Sequence, residues 1–122
     1  MVGTCLCGET EIKLKEPCNK IDICHCKMCR KWAAGPAFYL YDVFSSDEFE
    51  FAKKDFYKEY DPGGDNGIRG FCSNCGSSIA WKGRDGGGYV FNSELFEIKT
   101  AEIAEEVNLE EKPSYYNIAK GR

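Results

Sequence analysis

Apolar positions along the chain recur mostly with a period of two. In Thr10-Glu11-Ile12-Lys13-Leu14-Lys15, Ile12 and Leu14 share one face and the charged residues the other, the pattern of a half-buried strand. Glu16-Pro17 ends it, and Ile21-Asp22-Ile23-Cys24 alternates again. Residues 37–43, with Phe38, Tyr39 and Tyr41, predict another strand, as do residues 49–51 and 56–60. Residues 68–72 and 77–81 read as two arms of a hairpin, and Tyr89-Val90-Phe91 as a further strand. The helical candidate is residues 28–34, closed by Gly35-Pro36. Residues 61–67 and 83–88 are loops by their glycine, proline and aspartate content. Residues 93–111 carry seven glutamates and predict a solvated helix or loop. The expected architecture is mostly β, with many short strands and little helix. Residues 1–122 show no repeat or linker and are read as one domain.

Composition adds three unusual counts to this pattern: eight cysteines, one histidine and 13 glycines in 122 residues. They suggest a turn-rich domain organised around sulfur. A net charge of −4 and the lack of any lysine or arginine run argue against a nucleic-acid or anionic-membrane surface. No apolar run approaches the roughly 20 residues that cross a bilayer. The opening residues carry no secretory pattern, so the cytoplasm is the expected compartment, where thiols stay reduced.

The cysteines fall as Cys5-x-Cys7, Cys18, Cys24-x-Cys26-x-x-Cys29 and Cys72-x-x-Cys75. Thiols one residue apart do not easily meet disulfide geometry, but they readily converge on one metal ion. Cys5, Cys7, Cys72 and Cys75 make a closed tetrahedral set for zinc; four thiolates also suit iron. Gly8 and Gly76 follow the two pairs and would let the chain turn tightly at the metal. Cys24, Cys26 and Cys29 supply three thiolates, the ligand number of a catalytic zinc with an open position. Water or a substrate thiol in that position would ionise at neutral pH. Two residues are candidates to close the site instead: Cys18, six residues upstream, and His25. In an extended segment His25 points away from a metal shared by its neighbours, which leaves it as ligand, proton carrier or ordinary hydrogen-bonded histidine. Arg30, Lys31 and Arg69 lie near cysteines. Each is read either as a partner for substrate carboxylates or as a solvated or thiolate-supporting cation.

Three segments carry a resemblance. Gly3-Thr4-Cys5-Leu6-Cys7-Gly8, Cys24-His25-Cys26-Lys27-Met28-Cys29-Arg30 with Gly35, and Arg69-Gly70-Phe71-Cys72-Ser73-Asn74-Cys75-Gly76-Ser77 match in order and spacing. They resemble the motifs of the glutathione-dependent formaldehyde-activating enzymes, also called the centromere-protein-V domain family. The matched motifs run from residue 3 to residue 77, about three-fifths of the chain. The resemblance implies an Mss4-like fold of several small coiled β-sheets. It implies a structural zinc at Cys5, Cys7, Cys72 and Cys75 and a catalytic zinc at Cys24, Cys26 and Cys29. It also implies condensation of glutathione with formaldehyde, formally carbon–sulfur lyase chemistry, with a small thiol and a small aldehyde as partners. A non-catalytic zinc-stabilised protein-binding module, or an enzyme for another thiol adduct, are the alternative readings.

Overall fold

Ten short strands and one helix account for most of the regular structure in the computed structural model, which describes residues 1–119. In chain order they are β1 (Val2–Thr4), β2 (Glu11–Leu14), β3 (Lys20–Cys24), α1 (Lys27–Ala33), β4 (Ala37–Leu40), β5 (Phe49–Lys53), β6 (Tyr57–Tyr60), β7 (Ile68–Cys72), β8 (Ser78–Lys82), β9 (Tyr89–Phe91) and β10 (Glu102–Val107). Single 3₁₀ turns span Ser93–Leu95 and Leu109–Glu111. The strands form three small sheets in the orders β1-β2-β5, β10-β3-β4 and β6-β7-β8-β9. The mostly β expectation holds, and so does the hairpin predicted around the last cysteine pair: β7 and β8 pair antiparallel.

Burial follows the alternation in the sequence. On β2, Ile12 and Leu14 are buried while Lys13 is exposed. They join Leu40, Phe49, Ile79 and Phe91 in the main core, where Phe49 meets Phe91 edge-on with ring centroids 4.9 Å apart. Gly3 sits at the centre of β1 and bridges to Phe96; any side chain there would overlap the Phe96 ring. A smaller cluster contains Cys24, Cys29, Ala37 and Tyr39, with Trp32, Trp81, Val90 and Val107 packed against it.

Residues 93–111 depart from expectation. They fold as a 3₁₀ turn, strand β10 and a second 3₁₀ turn. β10 pairs in parallel with β3, Glu102 opposite Lys20 and Val107 opposite Cys24. Glutamate is a poor strand former in isolation, but strand preference yields to whatever edge the fold offers. Here the offered edge is β3, and no local pattern announces it. The acidic residues Glu102 and Glu105 stay exposed, while Ile103, Glu106 and Val107 are partly covered. Helix α1 runs one residue ahead of the expected segment and ends with Ala34 in the left-handed conformation at φ 61°.

Candidate metal centre

Two groups of thiols converge, and each is built by local turns. In the first, Cys5 and Cys7 follow β1, Cys72 ends β7, and Cys75 lies in the β7–β8 turn. All four sulfurs lie within 4.8 Å of one another. The Cys5–Cys7 and Cys7–Cys72 separations are 3.6 and 3.8 Å. Zinc–sulfur bonds of about 2.3 Å in a tetrahedron give sulfur–sulfur edges of about 3.8 Å, so the donor set fits a four-thiolate metal ion. Each half closes with a glycine at φ 82°: Gly8 N–H donates to Cys5 O three residues back, and Gly76 N–H donates to Cys72 O four residues back. That conformation is one that side-chain-bearing residues rarely adopt, which is why glycine follows each pair. Thr10 N–H donates to Cys5 Sγ at 3.3 Å and Asn74 Nδ2 to Cys7 Sγ at 3.2 Å. Burial opposes ionisation of Cys75, but hydrogen bonds, led by those of Ser77, bring its thiol down to about 6.

The second group combines three elements. Cys24 ends β3, Cys26 caps α1 by accepting from Cys29 N–H at 3.3 Å, and Cys29 lies on the first helical turn. Their sulfurs also lie within 4.8 Å of one another. Cys24 and Cys29 are buried, whereas Cys26 is partly open. Arg69, from β7, donates from Nη1 to Cys29 Sγ at 3.2 Å, and the Tyr39 hydroxyl lies 3.1 Å from the same sulfur. Asn108 Nδ2 donates to Cys24 Sγ at 3.4 Å. The Cys24 thiol, then Arg69 and Tyr39, hold the Cys29 thiol down to about 5, and Cys24 is pushed upward in exchange. Three thiolates with a buried guanidinium beside them also suit a divalent cation, at a site with fewer protein ligands than the first.

The cluster opens on a cleft of about 260 Å³. Asp22, Tyr39, Arg69 and Asn108 supply its polar wall, and Trp81, Val90 and Val107 its apolar wall. Asp22 and Tyr39 are direct neighbours across β3 and β4, with Cys24 two residues along. Asp22 Oδ1 is buried without a hydrogen-bond partner among the described residues. Burial, and then the nearby Glu105, push this carboxyl above its ordinary range.

Of the other residues singled out in the sequence, Arg69 is the one that hydrogen-bonds a sulfur of either cluster. Arg30 Nε donates to His25 O at 2.9 Å and its Nη2 to Glu111 O, while Lys31 is exposed on the flank of α1. Cys18 belongs to the main core, where its thiol lies 3.5 Å from Lys20 O, outside both clusters. His25 is fully buried, with its ring nitrogens on Tyr116 and Glu106. Sequence reasoning missed Tyr39, Asp22 and Asn108. Tyr39 reads as one more core aromatic, and Asn108 is marked only by a left-handed backbone at φ 55°, which needs coordinates to see.

The family model described as glutathione-dependent formaldehyde-activating enzyme matches residues 1–115. The chain belongs to this family. The match takes in the acidic C-terminal third, which the cysteine motifs do not reach. A crystal structure of a Rhodobacter sphaeroides protein shares the fold of this chain with a TM-score of 0.67. The two are 22% identical, and the likeness covers 88% of this chain and 100% of that one. No protein of curated function matches the sequence. No helix among the described residues is long and apolar enough to cross a membrane.

Proposed function

We propose that the protein is a zinc-dependent enzyme that adds glutathione, or a similar small thiol, to formaldehyde or another small aldehyde. The reaction belongs with the carbon–sulfur lyases. A sulfur–carbon bond forms and the carbon–oxygen π bond breaks. The thiol proton is lost and the new hydroxyl gains one, so no oxidant or reductant is needed. The observation that carries the reading is the trio Cys24, Cys26 and Cys29 facing a cleft with Arg69 on Cys29. A zinc ion held by those three sulfurs would lower the pKa of an incoming thiol enough to give a nucleophile at neutral pH.

The chain's own groups do the rest. Arg69 balances thiolate charge from a buried position and stacks over Trp32 at 5.1 Å, which fixes the guanidinium. The apolar wall of Trp81, Val90 and Val107 keeps bulk water from the reacting carbon. Asp22 lines the same cleft, and its carboxyl is the group placed to bind the hydroxyl that forms on the adduct. At about 260 Å³ the cleft falls below the ~300 Å³ at which whole-ligand pockets begin. It takes the reacting ends of a thiol and a short aldehyde, and the remainder of a tripeptide thiol lies outside. Cys5, Cys7, Cys72 and Cys75 would hold a second zinc with a structural role. Eight free thiols suit a reducing compartment, for which we propose the cytoplasm.

The test is adduct formation from glutathione and formaldehyde by the fully metal-loaded protein, with the spontaneous rate subtracted. Acceleration is expected. Equal rates with and without protein would turn the reading toward a binding module.

A further inference from the structure

The peptide that carries Cys24 and Cys26 is gripped from the side opposite the cleft. Alternate residues of an extended segment face opposite ways, so His25 points behind the sulfurs. It is fully buried, and all four of its polar atoms are engaged. Its backbone N–H donates to Val107 O at 2.9 Å, and its carbonyl accepts from Arg30 Nε at 2.9 Å. On the ring, Nδ1 lies 2.6 Å from the Tyr116 hydroxyl and Nε2 2.8 Å from Glu106 Oε1. A carboxylate only accepts, so Nε2 carries the hydrogen and donates to Glu106, and in a neutral ring Nδ1 accepts from Tyr116. The Tyr116 ring also stacks on the imidazole, with centroids 5.5 Å apart and planes 26° apart. Both partners come from the C-terminal segment, which further accepts from Lys27 N–H through Glu111 Oε1 at 3.2 Å.

A four-thiolate site fixes its own geometry. A three-thiolate site with a position left for substrate needs its ligand loop fixed by something else. We propose that His25 is a positioning residue. Held between Glu106 and Tyr116, its imidazole sets the Cys24–Cys26 peptide so that three sulfurs meet one metal ion while one position faces the cleft. The proposal rests on the metal reading of Cys24, Cys26 and Cys29. It assigns the acidic C-terminal third a task at that centre, although none of its described residues supplies a ligand to the sulfur clusters.

The test uses the full chain with cobalt in place of zinc. Tyr116→Phe keeps the stacked ring and removes the hydroxyl. It should weaken metal binding at the three-thiolate site by about ten-fold, the low end of the effect of removing a direct partner of a ligand, because Tyr116 acts through His25. The visible cobalt spectrum of that site should change, while the four-thiolate site keeps its metal and the melting temperature stays close to wild type. Glu106→Ala should act alike, and Glu106→Gln, which retains an acceptor oxygen for Nε2–H, should restore affinity and spectrum. Wild-type affinity and spectrum in Tyr116→Phe and Glu106→Ala would overturn the proposal and leave His25 as packing. A wild-type protein that takes metal only at the four-thiolate site would overturn the proposal together with the metal reading beneath it, before any variant is made.

Discussion

Arg69 and Cys29, 40 residues apart in sequence, meet at 3.2 Å inside the smaller core. Arg69 is only 6% exposed, so its charge is held there by the thiolate, by Tyr39 and by the face of Trp32. Removing one member of a buried charge pair typically costs about 3–5 kcal/mol, because the other is left uncompensated. Arg69→Met should lose most of the metal at the three-thiolate site and at least ten-fold in adduct-forming rate. Arg69→Lys keeps the charge but not the planar stack on Trp32, and should fall between the two. Metal content, melting temperature and rate, measured on both variants, check this.

The two sulfur clusters should differ in consequence. Cys7 and Cys72 are 65 positions apart, so the first site closes a long loop, whereas the second lies within six residues. A structural zinc contributes about 10–16 kcal/mol in model peptides, against a domain stability of ~5–15 kcal/mol. Cys72→Ser should therefore give unfolded or insoluble protein. Cys29→Ser should give soluble, folded protein with one zinc and no adduct activity. Equal unfolding of both, by thermal melting, would make the central cluster structural.

Elemental analysis of the purified protein should find two zinc ions per chain, matching the two clusters. A chelator should strip the three-thiolate site first. Tightly bound iron in their place would overturn the assignment of the metal.

Tyr57 supplies a prediction in alkali. Burial, and then the neighbouring Glu59, raise its phenol above the ordinary value of 10. A raised folded-state pKa favours the neutral form in the fold. The stability it contributes is fully present below pH 10 and is lost as pH rises beyond it. Tyr57→Phe cannot ionise, so it should flatten the fall in stability above pH 10. Denaturant midpoints of wild type and variant at pH 8 and pH 11 measure the difference.

Much of this was legible in the chain. Period-two alternation marks β2 and β3, the arms flanking the last cysteine pair mark β7 and β8, and cysteine spacing pairs residues 5–7 with 72–75. These signals are local, or repeat at short range. The strand at 102–107 was not legible, because its cause is an edge of β3 some 80 residues away and not its own glutamate-rich composition. The same distance hid the surroundings of the second cluster. Tyr39, Arg69 and Asn108 come from three separate stretches: the pairing of β3 with β4 and β10 brings Tyr39 and Asn108 to the cluster, and Arg69 reaches it from β7 of another sheet. Cys18 stands as a candidate fourth ligand in the sequence because nothing there distinguishes a sulfur that packs from one that ligates.

The parallel pairing of β3 with β10 also dictates an order of assembly during synthesis. Every ligand of the four-thiolate site has left the ribosome once residue 75 is out, and that site can close on its metal while the rest is still being made. The three thiols at residues 24–29 emerge earlier still, yet Asn108, which reaches Cys24 across 84 positions, emerges only after all seven clustered cysteines. A nascent chain stalled with residue 100 just exposed should hold one metal ion firmly and the second loosely. A stall with residue 116 exposed should hold both. Equal retention of both ions at the earlier stall, under the same chelator challenge, would show that the central thiols need no help from the C-terminal strand. Otherwise a chain cut short before that strand keeps the first metal ion and holds the second only loosely.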